Sequence, residues 1–126
     1  MQTKGDRREM KTLLLPNGGT EVLNVHPGDI VYVRADGNYC LMTMTGGFEQ
    51  ELWISMKRFA SIAEEQLSDG PAAFVVVGRS LIVNLSYIYR INPAKGELVL
   101  FDSSNPARIS LHASSVALSS LKEYLD

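Results

Sequence analysis

Apolar and polar residues alternate with a period of two along most of this chain, and turn residues recur roughly every eight to twelve positions. That pattern predicts a β-dominated domain. Lys11 to Leu15 reads as a first strand closed by Pro16-Asn17-Gly18-Gly19, and Thr20 to Val25 returns before Pro27-Gly28 breaks it. Asp29 to Ala35 is a strong strand, with Ile30 and Tyr32 expected on one face and Val31 and Val33 on the other. Asp36-Gly37 reads as a hairpin turn pair, because both residue types tolerate the positive φ of a tight reversal. Asn38 to Thr45 runs back, and Gly46-Gly47 turns the chain into Phe48 to Trp53.

The period then changes. Met56, Phe59, Ala63 and Leu67 recur at helical spacing behind Ser55, a plausible N-cap, and Ser68-Asp69-Gly70-Pro71 ends the run. This apolar stripe is expected to face the core. Strands resume at Phe74 to Val77 and Leu81 to Leu85, then at Ser86 to Asn92 and Glu97 to Phe101 around a loop at Pro93-Ala94-Lys95-Gly96. Arg108 to His112 is the last strand, and Ser114 caps a final helix expected to turn Leu118, Leu121 and Leu125 inward. The architecture is therefore mainly β, with one helix mid-chain and one at the C-terminus.

A length of 126 residues suits one domain with its own core. Residues 1–10 are expected to be a flexible N-terminal segment and 11–126 the folded domain. The single cysteine, Cys40, has no partner for an internal disulfide, and no Cys/His cluster suggests zinc. No signal peptide or run of about 18 apolar residues is present, so a cytoplasmic protein without membrane insertion is expected. Twelve Lys and Arg against fourteen Asp and Glu give a formal charge of −2, which by itself argues mildly against a polyanionic partner. The distribution says more than the sum. Acid concentrates around the first helix, whereas Arg79, Arg90, Lys95 and Arg108 outnumber Glu97 and Asp102 in the later strands.

Catalytic arrangements are absent from the sequence. No G-x-S-x-G elbow is found, and only His26 and His112 could act as imidazole bases. Cys40, between Tyr39 and Leu41 with nothing basic adjoining it, reads as a buried thiol rather than a nucleophile. Glu49 and Glu51 share a strand face, but no neighbour separates their protonation behaviour as acid–base work requires. No glycine-rich loop has the Lys-Ser or Lys-Thr that a phosphate cradle needs. The chain is not expected to be an enzyme or to need a cofactor or metal.

Two segments carry a resemblance. Asp29-Ile30-Val31-Tyr32-Val33-Arg34-Ala35-Asp36-Gly37-Asn38-Tyr39 resembles the D-I-x-Y-I-E-A-x-x-N-Y strand pair of the LytTR DNA-binding family. Phe74 to Ile88, with Arg79-Ser80 and Ile82-Val83-Asn84-Leu85, resembles that family's F-x-R-I-H-R-S-Y-I-V-N-L-x-x-I signature. Ile109-Ser110-Leu111-His112 stands in the place of its V-S-R segment. The resemblance runs from about residue 20 to residue 125 in the right order.

The family implies an elongated fold of antiparallel sheets that binds duplex DNA through loops, as the output half of bacterial response regulators. Position by position, it points to Asn38 and Tyr39, to Arg79 and Ser80, and to His112 as the DNA-facing residues. Asn38 either reads adenine in the major groove or simply favours the turn. Arg79 can fork onto guanine or clamp a phosphate. Ser80 can touch phosphate or cap a backbone amide. Asn84 also matches, but in apolar surroundings it is expected to satisfy buried backbone groups, outside the site.

Two departures stand out. Gly78 replaces a usual histidine, and His112 replaces a usual arginine with a side chain that is cationic only once protonated. The implied partners are double-stranded DNA, a second copy on DNA, and a separate sensor or regulatory protein, since only about ten residues precede the first strand. The reading from a different class is a protein-interaction or self-association module using the same sheet edges.

Overall fold

Four consecutive apolar residues, Ile30-Val31-Tyr32-Val33, set the architecture, because a strand with no polar face must be covered on both sides. The structure, a computed structural model, describes residues 12–67 and 74–126. The expected flexible segment 1–10, Lys11, and the helix stop at Ser68-Asp69-Gly70-Pro71 lie outside the described residues.

The strands are β1 (Leu13–Asn17), β2 (Glu21–Val25), β3 (Ile30–Asp36), β4 (Tyr39–Met44) and β5 (Glu49–Leu52), followed by helix α1 (Met56–Gln66). After it come β6 (Phe74–Val77), β7 (Leu81–Asn84), β8 (Ile88–Asn92), β9 (Glu97–Leu100), β10 (Ile109–His112) and helix α2 (Ser115–Leu125). They form a five-stranded sheet in the order β5-β4-β3-β7-β6, a three-stranded sheet β10-β9-β8 and a hairpin β1-β2, with every pairing antiparallel. The expected mainly β fold with a mid-chain and a C-terminal helix is what the chain adopts.

β3 lies at the centre of the larger sheet and feeds two cores. Ile30 and Val33 pack with Leu13, Leu15, Met42, Leu52, Phe59 and Ile82, beneath the β1-β2 hairpin and α1. Val31 and Tyr32 pack with Val77, Leu81, Val83, Leu98, Leu100, Leu118 and Leu121, beneath the smaller sheet and α2. Strict alternation would place Ile30 with Tyr32. A bulge between them overturns that expectation: Ile30 pairs with Met44 and Tyr32 with Thr43, so one extra residue on β3 flips the faces.

Local chemistry explains the element ends. The Ser55 hydroxyl accepts from the Arg58 amide at 3.1 Å, and the Ser114 hydroxyl accepts from the Ala117 amide at 3.1 Å, as N-caps should. α1 buries Phe59, Ile62 and Ala63, with Phe59 edge-on to Phe74 at 6.1 Å. Burying such a ring contributes about 3 kcal/mol relative to leaving it in water. α2 buries Leu118 and Leu121 as expected, but Leu125 is exposed because it lies in the last turn, beyond the sheet that covers the other two. β1 extends through Pro16 to Asn17, later than the expected turn, since a two-stranded hairpin has free edges that tolerate proline.

The strand expected to begin at Ser86 begins at Ile88, after a 3-10 turn over Leu85–Tyr87. Asn84 builds that turn: its side-chain oxygen accepts from the Ser86 amide at 3.0 Å. Its Nδ2 donates to the carbonyls of Ile30 at 2.9 Å and Pro27 at 3.3 Å. At the same end Asp102, buried, accepts from the Gly46 amide at 2.7 Å and from the amide and hydroxyl of Ser104. Burial would raise its pKa, but these three donors hold the carboxyl below its ordinary value. Asp102 thereby ties the β4–β5 turn to the chain that leaves β9.

Candidate nucleic-acid interface

Hairpin geometry decides how the first two candidates are presented. Asp36 pairs with Tyr39, so the β3–β4 loop is Gly37-Asn38, one residue later than the expected Asp36-Gly37 pair. Gly37 has φ +64°, while no non-glycine described residue has a positive φ, which is the pattern of a II′ turn and needs glycine only at its first position. Asn38 stands exposed at the tip. Tyr39 is 44% exposed and its ring lies 5.3 Å from that of Trp53, itself 58% exposed. Trp53 follows β5, and its amide donates to Asn17 Oδ1 at 2.8 Å, which fixes its backbone.

The next pair sits in the loop Gly78-Arg79-Ser80, closed by the pairing of Val77 with Leu81. Gly78 takes φ +66°, a conformation that L side chains rarely adopt. Glycine, standing where the resembled family usually has histidine, suits that backbone conformation. The Ala35 amide donates to the Ser80 carbonyl at 2.9 Å, locking this loop beside the β3–β4 turn. Both loops therefore lie at one end of the central sheet. Arg79 is exposed, and its guanidinium makes no hydrogen bond or ion pair among the described residues. The Ser80 hydroxyl likewise caps no amide among them.

β10 brings the third element to the same neighbourhood. Gly78 and Arg79 line one groove with Ser114, Ala117 and Tyr124 at and beyond the start of α2. His112 ends β10 two residues before Ser114, exposed and in register with Glu97. Since Ser114 caps the helix, the His112 imidazole is free of that task. The structure thus gathers Asn38, Tyr39, Arg79 and Ser80 at one sheet end and leads His112 towards it.

Sequence reasoning missed Trp53. The available signal was a lone tryptophan directly after a strand that opens with three polar residues, Glu49-Gln50-Glu51. Two other readings of the sequence agree with the structure. Asn84 is 2% exposed and fully engaged with backbone, and Cys40 is fully buried, with burial raising its thiol to about 11. A thiol in that state supplies no thiolate at neutral pH.

No helix among the described residues is long and apolar enough to cross a membrane. The model of the LytTr DNA-binding domain family matches residues 20–126. Among solved structures, the chain is similar to a LytTr DNA-binding domain from a Bacillus cereus response regulator, with a TM-score of 0.61 and 17% identity. That similarity covers 91% of this chain and 96% of the other, and at such identity it concerns the fold. No curated protein matches the sequence. With 107 consecutive residues matched, the chain belongs to the LytTR family of DNA-binding domains.

Proposed function

We propose that this domain binds duplex DNA sequence-specifically, as the DNA-reading part of a bacterial transcription regulator working in the cytoplasm. The observation that carries this reading is the convergence of exposed Asn38, Tyr39, Arg79 and Ser80 at one sheet end through the Ala35–Ser80 hydrogen bond. An amide tip and an unpaired guanidinium match the edges of adenine and guanine in the major groove. Ser80 and His112 supply flanking contacts to phosphate, which position the domain without reading sequence. The formal charge of −2 does not oppose this, because local field rather than net charge steers a polyanion.

Selection from a random duplex pool, followed by isotherms of the enriched duplex at several salt concentrations, tests the reading. One sequence should be enriched, and log K should fall linearly with log salt, by about 0.9 for each phosphate contact. His112→Arg, which places a guanidinium at this position, should steepen the slope by up to about 0.9. A pool with no enriched duplex, together with binding indifferent to salt, would overturn the proposal. That result would favour the protein-interaction reading, since β5 and β6 form the edges of the larger sheet.

A further inference from the structure

Besides His112, the outer face of the three-stranded sheet carries residues that the loop-borne site does not use. In β10, Ile109 and Leu111 pack on the core, so Ser110 and His112 point the other way; Arg108, just before the strand, lies over the Tyr89 ring, and all three are exposed. In β9, Leu98 and Leu100 point inward, which puts Glu97, Val99 and Phe101 on the outer face. A bulge in β8 between Ile88 and Arg90 leaves both Tyr89 and Arg90 exposed beside them.

These residues form one stack. The Arg108 guanidinium carbon lies 4.5 Å from the centroid of the Tyr89 ring and 5.9 Å from that of Phe101. Arg90 lies 6.0 Å from the Tyr89 ring, and the two rings are 6.0 Å apart. Neither arginine makes an ion pair or a side-chain hydrogen bond among the described residues. A guanidinium resting on a ring keeps its in-plane N–H groups turned outward, ready to fork onto a phosphate. Since the rings already hold Arg108 in place, little of its freedom remains to be lost on binding.

No carboxylate pairs with either arginine among the described residues. Asp102 is buried and occupied by three donors, and Glu97 accepts the Ser110 hydroxyl at 3.2 Å beside His112. Arg108 and His112 are four residues apart along the chain, roughly 13 Å at 3.3 Å per residue. That span is close to the ~12 Å width of the major groove of B-DNA.

We propose that this face is a second DNA contact, in which Arg90 and Arg108, braced by Tyr89 and Phe101, hold the phosphate wall across the groove from His112. The proposal rests on the DNA-binding reading above and extends its footprint along the domain. Arg90 and Arg108 would add affinity without sequence preference, in contrast to Arg79.

Isotherms of the full chain with the selected duplex and with a scrambled one, at several salt concentrations, test it. Arg90→Gln combined with Arg108→Gln should lower the salt slope by up to about 1.8, two phosphate contacts, and weaken both duplexes by the same factor. Arg108→Lys should keep the slope, because the charge remains, while losing part of the affinity with the stack. An unchanged slope and affinity in the double variant, with Arg79→Ala still weakening binding, would overturn the proposal and leave the DNA reading standing. If the unmodified chain enriches no duplex and its binding is indifferent to salt, the DNA reading itself fails. Both arginines are exposed, and matching thermal melts establish that the variants remain folded.

Discussion

Replacing Arg79 with alanine is expected to weaken binding to the selected duplex by about 1–3 kcal/mol and to relax preference at one base position. The size follows from geometry. A guanidinium that forks onto a base makes two parallel hydrogen bonds to one edge, and their loss is worth that much discrimination. Arg79 gives up no internal partner on binding, since its guanidinium has none among the described residues, and the loop that carries it is already pinned at the Ser80 carbonyl. Stability should change little, because the side chain is exposed. Binding isotherms against a panel of single-base variants of the duplex measure both effects. Weakening equal across the panel would mark Arg79 as a phosphate contact; unaltered affinity would remove it from the interface.

Asn84→Leu should do the reverse, lowering stability by about 2 kcal/mol and the Tm by roughly 8 °C. Leucine matches the residue in size but offers no donor to the buried Ile30 carbonyl and no acceptor to the Ser86 amide. Each buried group left without a partner costs about 1–3 kcal/mol, whereas the Ser86 amide, closer to the surface, recovers part of its loss in water. At temperatures well below the melt, the folded fraction should still bind the selected duplex. A variant that melts normally but no longer binds DNA would move Asn84 from the framework into the interface.

The strands were legible because turn chemistry punctuates them. Pro27-Gly28, Gly46-Gly47 and Pro93-Ala94-Lys95-Gly96 each break a run of extended pattern, and the caps Ser55 and Ser114 lie where their spacing to the apolar stripes requires. The bulge in β3 was not legible, because four adjacent apolar residues carry no polar position to mark the slip. Nor was the exposure of Leu125, whose spacing fits the helix stripe although the stripe outlasts the surface that covers it.

For the candidate site, the segments around Asn38 and Arg79 stood out by resemblance to a family. Their juxtaposition depends on the Ala35–Ser80 hydrogen bond, between residues 45 positions apart, which no local pattern encodes. Trp53 and the stack of Arg108 on Tyr89 are long-range products of the same kind.

The bulged strand β3 also bears on how the domain comes apart. Two hydrophobic clusters that share one strand cannot melt independently: releasing Ile30 and Val33 from one drags Val31 and Tyr32 out of the other. Unfolding should therefore be a single cooperative step, with calorimetric and van't Hoff enthalpies equal. Amides of β3 and its neighbour β7 should exchange only through that global opening, while the outlying β1-β2 hairpin exchanges sooner. Two separated thermal transitions would show that the clusters are less firmly joined than their common strand requires. The proposed DNA-reading end, mounted on such a strand, would inherit the rigidity of the whole domain and present its loops already placed.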